Sequence, residues 1–147
     1  MDQIFAAIAD YIDDISIALS THFKRANEVL GIDFYQTDLS VMTKHVGQRI
    51  GLPDSPFKYF VMVNGDGSFI GVVNTLLDGK RGEILLITFA NDVATEERVD
   101  KLLEYAMSRL RESGAQTVQI EVDSSEPLLQ SAVKRKSGRL LSEKYAW

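Results

Sequence analysis

One nearly uninterrupted apolar run constrains this chain more than any other feature of its sequence. The run Gly82–Phe89 is rich in isoleucine and leucine, which is typical of a strand buried on both faces of a sheet. It is followed by Thr95–Ser113, whose apolar residues recur at helical spacing, and then by the strand-like segment Thr117–Val122. Strand, helix and strand in this order predict a crossover between two parallel strands, and therefore an α/β fold.

Two further strands are predicted before this crossover. Phe57–Val63 and Ser68–Leu76 flank Asn64-Gly65-Asp66-Gly67, whose Asn-Gly and Asp-Gly pairs suit the positive φ angles of a tight hairpin turn. A second turn, Asp78–Gly82, leads into the buried run. The three strands are therefore predicted to form an antiparallel meander.

The first fifty residues are predicted to be mostly helical. Between residues 2 and 20 the apolar positions follow one helical face, and Gly31 is a plausible helix stop. Ile32–Tyr35 could form a short strand, and a second helix is predicted to end near Ile50. The connector Leu52–Pro56 contains two prolines, which cannot continue a helix.

The chain is predicted to be one domain. Its 147 residues suffice for a self-sufficient core, with a helical part over residues 1–50 and a sheet core over residues 57–147. The core is expected to finish with a last helix, which has Pro127 in its first turn, and with one final strand, Arg139–Trp147.

Composition excludes several classes of protein. The net charge of −5 argues against a general nucleic-acid binder, and the absence of cysteine excludes a disulfide framework and a thiolate metal site. His22 and His45 lack partners at metal-ligand spacing, so no metal is expected. No apolar stretch approaches the roughly 18 residues of a membrane helix. We expect a cytoplasmic protein, or one assembled into a particle in a cytoplasm, without membrane contact.

The segment Glu112–Val122 resembles the helix exit and fifth strand of the GNAT superfamily of acyl-CoA N-acyltransferases. The order of elements over residues 34–147 is similar as well. The family's aromatic-Tyr-x-Lys-x-Gly-Phe pattern keeps Lys136 and Gly138, whereas Lys134 replaces the tyrosine and Arg139 the final phenylalanine. The resemblance implies an α/β (α+β) fold, a GNAT-like mixed sheet of about six strands flanked by helices, with a long N-terminal helix.

The resemblance also locates a cofactor site. In active members the crossover begins with Arg/Gln-x-x-Gly-x-Gly/Ala, whose N–H groups bind the coenzyme A pyrophosphate. Aligning Leu102-Leu103 with the family's leucine pair, and adding the preceding strand, gives the cofactor positions Ile87, Phe89, Ala94, Glu97 and Val99. No glycine lies between Gly82 and Gly114, so side chains stand where bare backbone must approach the ligand. We therefore predict no cofactor; acetyl-CoA would be used only if the chain is an active enzyme. Glu97 and its neighbour Glu96 also have a structural explanation, since acids are favoured in a first helical turn.

Three residues are candidates for acid–base catalysis. Active members commonly use a carboxylate on the fourth strand as base and the tyrosine of the fourth helix as acid. With that tyrosine replaced, the candidates are Glu83 at the start of the fourth strand, Glu121 on the fifth, and Tyr145 on the last strand as a substitute acid. A solvated role is the more common explanation for a glutamate at a strand edge, and a packed role for a tyrosine such as Tyr145.

The predicted sheet lacks a strand. Family members usually end with a sixth and seventh strand in a hairpin, whereas here only one strand is predicted after Gly138. The fifth strand would then have an unpaired edge unless another chain covers it. This edge, the apolar stripe of the N-terminal helix and the apolar C-terminal strand predict a protein partner or a homo-oligomer.

Three functions remain open on this reading. The first is a GNAT-fold protein that has lost acyl transfer and serves as an interaction or structural module, in an assembly, in a virion or as a regulatory partner. The second is an active acetyl-CoA-dependent N-acetyltransferase with an atypical pyrophosphate loop. The third is a small-molecule sensor that uses the cleft between the fourth and fifth strands.

Overall fold

The computed structural model describes residues 2–90, 92–122, 126–136, 139–141 and 144–146, and for the last two ranges the backbone alone. The α-helices within these ranges are α1 (Ile12–Leu30), α2 (Leu39–Ile50), α3 (Glu96–Glu112) and α4 (Pro127–Arg135). The strands are β1 (Gln3–Ala6), β2 (Phe57–Val63), β3 (Phe69–Asp78), β4 (Arg81–Phe89), β5 (Thr117–Glu121), β6 (Arg139–Leu141) and β7 (Lys144–Ala146). None of the described helices combines the length and apolar character needed to cross a membrane.

The described strands form one mixed sheet in the order β1-β2-β3-β4-β5-β7-β6. Neighbouring strands are antiparallel except β4 and β5, which run parallel because α3 carries the chain back across the sheet. The predicted fold class and crossover are therefore confirmed. The hairpin turn is confirmed too, since the Asn64 N–H donates to the Ser68 carbonyl over 3.0 Å and Gly67 has a φ of 86°.

The predicted start of the N-terminal helix was wrong. Gln3–Ala6 is strand β1, which pairs with β2, and the Ala7 N–H extends the pairing by donating to the Tyr59 carbonyl over 2.9 Å. The long helix itself is confirmed, but it begins at Ile12 and ends where Gly31 adopts a left-handed conformation. The spacing of Ile4, Ile8 and Ile12 fits a helix. Ile4 nevertheless lies in a strand, because its backbone pairs with β2.

The possible strand at Ile32–Tyr35 is a loop. Its backbone donors are taken by a side chain, because the N–H groups of Phe34 and Tyr35 both donate to Oδ1 of the buried Asn27, over 3.1 and 2.8 Å. The Asn27 Nδ2 returns a hydrogen bond to the Tyr35 carbonyl over 3.0 Å. Three hydrogen bonds from one side chain thus fix this loop without a sheet.

The prediction that a seventh strand is missing was also wrong. Both β6 and β7 are present and pair antiparallel, and β7 pairs in turn with β5. Seven strands lie in the described ranges rather than about six, and β5 has no unpaired edge. The two segments are three residues each, too short for a sequence pattern to separate them.

Helices cover the two faces of the sheet unequally. One face packs against α3 and α4 through a core that includes Phe60, Val73, Ile84, Leu102 and Val133. The other face packs against α1 and α2, which contact β2, β3 and β4, through Ile15, Val46, Val61 and Val72. On β5 the residues Val118 and Ile120 are buried toward α3, while Thr117 and Glu121 are exposed. Part of the sheet surface beyond β4 is therefore open.

Candidate functional site

Strands β4 and β5 are paired along only the first half of β4. Their parallel pairing runs from Arg81 opposite Thr117 to Ile84 opposite Ile120, and β4 then continues to Phe89 paired only with β3. The divergence coincides with a bulge: Thr75 lies opposite Ile84 and Asn74 opposite Leu86, so Leu85 is an extra residue. The pairing of the two strands therefore ends at Ile84 and Ile120, and we call the space beyond this point the cleft.

The N-terminus of α3 follows the end of β4 after a loop of six residues. Thr95 caps the helix, because its hydroxyl accepts a hydrogen bond from the Arg98 N–H over 3.2 Å. The preceding loop has one residue with positive φ, Asp92 at 59°, although no glycine is present. The Thr95 cap and the two glutamates of the first turn, Glu96 and Glu97, therefore stabilise α3 itself.

A charge network, which we call the α3 network, surrounds this helix start. Arg98 donates from Nη1 to the Val93 carbonyl over 2.7 Å, and its Nε lies 3.0 Å from Asp2. Arg135 on α4 donates to Glu96 and to Asp100, over 2.8 Å each. The hydrogen bond to Asp100 is the main reason that the pKa of the Arg135 guanidinium is raised. Both arginines therefore already have carboxylate partners.

The buried side-chain amide of Asn74 lies at the bulge, on the face of the sheet opposite α3. Asn74 is only 5% exposed, and its Oδ1 has no hydrogen-bond partner among the described residues. It lies opposite Tyr59 on β2 and Leu86 on β4, on the α1 and α2 side. The sequence indicated only a polar residue within a strand, so this position was missed; the missing partner is a property of the tertiary structure.

No group of three histidine, aspartate or glutamate side chains within the described ranges could hold a metal ion. His22 packs edge-on against Phe23, with ring centroids 5.3 Å apart. Burial, with a smaller contribution from Arg25, lowers the pKa of His22 below its ordinary value. His22 is therefore favoured in its neutral form.

Known proteins resemble this chain in fold rather than in sequence. No family model and no curated protein matches the sequence. A GNAT-family acetyltransferase from Staphylococcus aureus Mu50 matches over 99% of this chain and 98% of its own, with a TM-score of 0.71 and 13% identity. The Sinorhizobium meliloti phosphinothricin acetyltransferase, solved in complex with AcCoA, matches over 99% and 87%, with a TM-score of 0.73 and 12% identity. A transcriptional regulator from Bacillus halodurans C-125 matches over 97% and 95%, with a TM-score of 0.69 and 18% identity. The chain has the GNAT fold.

Within the GNAT fold, the predicted cofactor positions lie in different environments. Ala94 is exposed in the loop before α3 and Glu97 is exposed in the first helical turn, where it pairs with Lys101. Val99 and Ile87 are buried in the core, and Phe89 packs partly buried against it. Val99 therefore does not obstruct the loop with its side chain. Ala94 occupies the family's Arg/Gln position, so Glu97 is the residue whose side chain stands where the family has a glycine.

The three acid–base candidates lie on adjacent strands. Glu83 on β4 is directly opposite Gln119 on β5, and Glu121 follows two residues later on the same face of β5. Tyr145 on β7 is opposite Ile120, and its side chain lies outside the described part of the structure. Glu83 lies 3.7 Å from Arg81, in the paired half of β4 rather than at its open end. The fold thus gathers these positions without placing Glu83 inside the cleft.

Proposed function

We propose that this GNAT-fold protein does not bind acyl-CoA in the family's usual way and acts as a protein-interaction module. The observation that carries the proposal is the α3 network. The helix N-terminus that would receive a pyrophosphate is capped by Thr95 and has Glu96 and Glu97 in its first turn. Glu97 also places a side chain where a glycine would leave the backbone bare.

Electrostatics opposes an anion at this position. Around the start of α3 the described residues include more carboxylates than basic groups, namely Asp2, Asp92, Glu96, Glu97 and Asp100 against Arg98, Lys101 and Arg135. One carboxylate about 4 Å from a phosphate costs roughly 4 kcal/mol at an effective dielectric of 20, and less where water reaches it. A micromolar cofactor binds with only about 8 kcal/mol, so even a fraction of this repulsion weakens it greatly.

Arg98 and Arg135 do not offset this excess of carboxylates. Arg98 is bound to Val93 and Asp2, and Arg135 is bound to Glu96 and Asp100. A phosphate would have to displace carboxylates that are covalently part of the chain and therefore always present. The network stabilises the contact between α3, α4 and the start of β1 instead.

An apolar loop provides the surface for interaction. We define the α1–α2 loop surface as the large apolar residues between Val29 and Leu39, namely Val29, Leu30, Ile32, Phe34, Tyr35 and Leu39. Phe34 is 69% exposed, Val29 68% and Ile32 61%. Exposed apolar residues that cluster in this way mark contact surfaces more often than isolated ones do.

The α1–α2 loop surface is held in one conformation. Asn27 fixes its backbone with three hydrogen bonds, the Ser20 hydroxyl donates to the Thr37 carbonyl over 2.7 Å, and Tyr35 stacks on Phe23 with ring centroids 5.0 Å apart. A preorganised loop loses little conformational entropy when a partner binds. This order supports a binding role for its exposed apolar side chains.

A second copy of the chain is the partner that this surface fits most simply. Lys24, Arg25, Glu28 and Asp33 are exposed and are close in sequence to the residues of this surface, so both charge signs accompany it. In a two-fold contact, a basic residue of one copy can therefore meet an acidic residue of the other. Such self-association would suit a subunit of a larger assembly, a virion included; a regulatory partner would use the same surface.

Thermal unfolding with and without acetyl-CoA tests the first half of the proposal. A ligand at one hundred times its dissociation constant stabilises a protein by about 2.7 kcal/mol, which is a clear rise in melting temperature. We expect no rise for the native chain at millimolar acetyl-CoA. The double variant Glu96→Gln with Glu97→Gly should gain a rise, because it removes both charges and one side chain. A rise for the native chain that Ala94→Phe abolishes would contradict the proposal.

The alternative function is an N-acetyltransferase with an atypical pyrophosphate loop. The cleft between β4 and β5 favours it, and so does the unpartnered Oδ1 of Asn74, which could accept a hydrogen bond from a polar ligand. Under this alternative, acetyl-CoA would stabilise the native chain and Glu83→Gln would slow acyl transfer without changing the stabilisation. Turnover of acetyl-CoA with a panel of primary amines, measured by release of free thiol, distinguishes the two functions.

A further inference from the structure

A cavity lies at the end of α3 that is farthest from the cleft. It has a volume of about 350 Å³ and is bounded by the connector Pro53–Pro56, by strands β2 and β3, and by Arg109, Leu110 and Ser113 of α3. These α3 residues are separated from Glu96 by some 20 Å along the helix axis, at about 1.5 Å per residue. The cavity is therefore independent of the α3 network and of the proposed function.

The connector Pro53–Pro56, which forms one wall of the cavity, is hydrogen-bonded to the sheet. Pro56 accepts a hydrogen bond from the Leu77 N–H over 3.1 Å, and Pro53 accepts one from Lys58 Nζ over 2.6 Å. Ser55 accepts a bond from the Phe57 N–H over 3.2 Å. The connector is thus bound along its length to the sheet, and its two prolines restrict its backbone further.

The walls of the cavity combine two chemistries. Phe60, Leu77 and Leu110 provide an apolar floor. Two cationic residues, Lys58 and Arg109, also line the cavity, and the Arg109 guanidinium lies 5.4 Å from the centroid of the Phe60 ring.

Two further polar residues adjoin these cations. Thr75, directly opposite Lys58 in the sheet and only 2% exposed, contributes a hydroxyl-bearing residue to the wall. Asp54 is the one carboxylate among the lining residues, so the two cations outnumber it.

We propose that this cavity binds a small amphipathic monocarboxylate. The apolar tail would lie over Phe60, Leu77 and Leu110, and the carboxylate would meet Arg109 and Lys58. Arg109 is available for this role, since its ion pair with Glu112 is long, at 3.9 Å, and solvent-exposed. The Arg109 guanidinium has two parallel N–H donors, which bind a carboxylate more strongly than a neutral group.

Titration with hexanoate tests the proposal, with hexanol and hexylammonium as probes of the same tail length. Binding is followed by amide chemical shifts of the full chain. A ligand of this size in a preformed site is expected to have a roughly millimolar dissociation constant. We expect hexanoate to shift the amides of Lys58, Thr75, Leu77 and Leu110 saturably, and to bind at least about tenfold more tightly than either control.

Two variants locate the interaction. Arg109→Gln should weaken hexanoate several-fold and leave hexanol binding unchanged, which shows that the fold and the apolar floor are intact. Ser113→Phe, at an exposed helix end, should fill the cavity mouth and abolish binding of every probe. Equal affinities for the three probes, shifts at other residues, or no saturable shift at about 10 mM hexanoate would overturn the proposal.

Discussion

The carboxylate of Asp2 lies 3.0 Å from the guanidinium of Arg98, so the residue preceding β1 is bound to the first turn of α3. Both side chains are largely shielded from water, and Arg98 also donates to the Val93 carbonyl. The contact links positions 96 residues apart and closes the N-terminal strand onto the crossover helix.

We expect Asp2→Asn to lower the free energy of unfolding by about 1–2 kcal/mol, because Arg98 would keep its charge without its carboxylate partner. Urea denaturation followed by circular dichroism measures the change. The control is Asp78→Asn, which removes the exposed partner of Arg81 and should change stability by less than about 0.5 kcal/mol. Equal effects of the two variants would show that the Asp2 contact has no special role.

The two buried asparagines should respond in opposite directions. Asn74→Leu removes an oxygen without a partner and should raise the free energy of unfolding by about 1 kcal/mol. Asn27→Leu removes three hydrogen bonds to the α1–α2 loop and should lower it by about 2 kcal/mol or more. Thermal and urea unfolding measure both. A destabilising Asn74→Leu would indicate that a water or ligand ordinarily satisfies this amide.

Stability should fall on acidification because of His22. Its pKa in the folded protein lies below the ordinary value of 6.5, so the unfolded chain binds more protons between these two pKa values. The free energy of unfolding therefore decreases as the pH falls from 6.5 through the lower, folded pKa, and the contribution is constant above 6.5. His22→Gln should reduce this slope, whereas His45→Gln, at an exposed position on α2, is the control. Parallel pH profiles for native and His22→Gln proteins would contradict the expectation.

Phe34→Ser should separate association from stability. Because Phe34 projects into solvent, its loss should change the free energy of unfolding by less than about 0.5 kcal/mol. Sedimentation velocity at tens of micromolar should show more monomer than for the native chain. Ile17→Ser, exposed on α1 outside the range Val29–Leu39, is the matched control and should leave association unchanged. A native chain that is already monomeric would count against self-association and leave a different protein as the partner.

The sequence predicted the centre of the molecule better than its ends. The crossover β4, α3 and β5 was predicted to within a residue at each end, because a long apolar run and a strong amphipathic helix depend on local pattern. The run is not buried on both faces along its whole length, since Leu85 at the bulge is exposed. Strand β1 was predicted as helix because Ile4 fits both periods, and only pairing with β2 decides between them. Strands of three residues, such as β6 and β7, carry no periodic signal of their own.

The candidate site, too, could be predicted only in part from the sequence. The acids at the start of α3 and the absence of glycine could be read from the chain, since the cap, the first turn and their residues are adjacent in sequence. The partners of those residues could not: Arg98 reaches back to Asp2, and Arg135 reaches across from α4 to Glu96. The unpartnered oxygen of Asn74 likewise depends on which side chains the fold brings near it.

The outermost strands of the described sheet are β1, with four residues, and β6, with three. Such short borders expose few free main-chain donors and acceptors, so a neighbouring polypeptide gains little by adding a strand there. Growth of a filament by lateral sheet extension is therefore disfavoured. Higher-order structures containing this protein are expected to depend on side-chain contacts, which point substitutions can adjust.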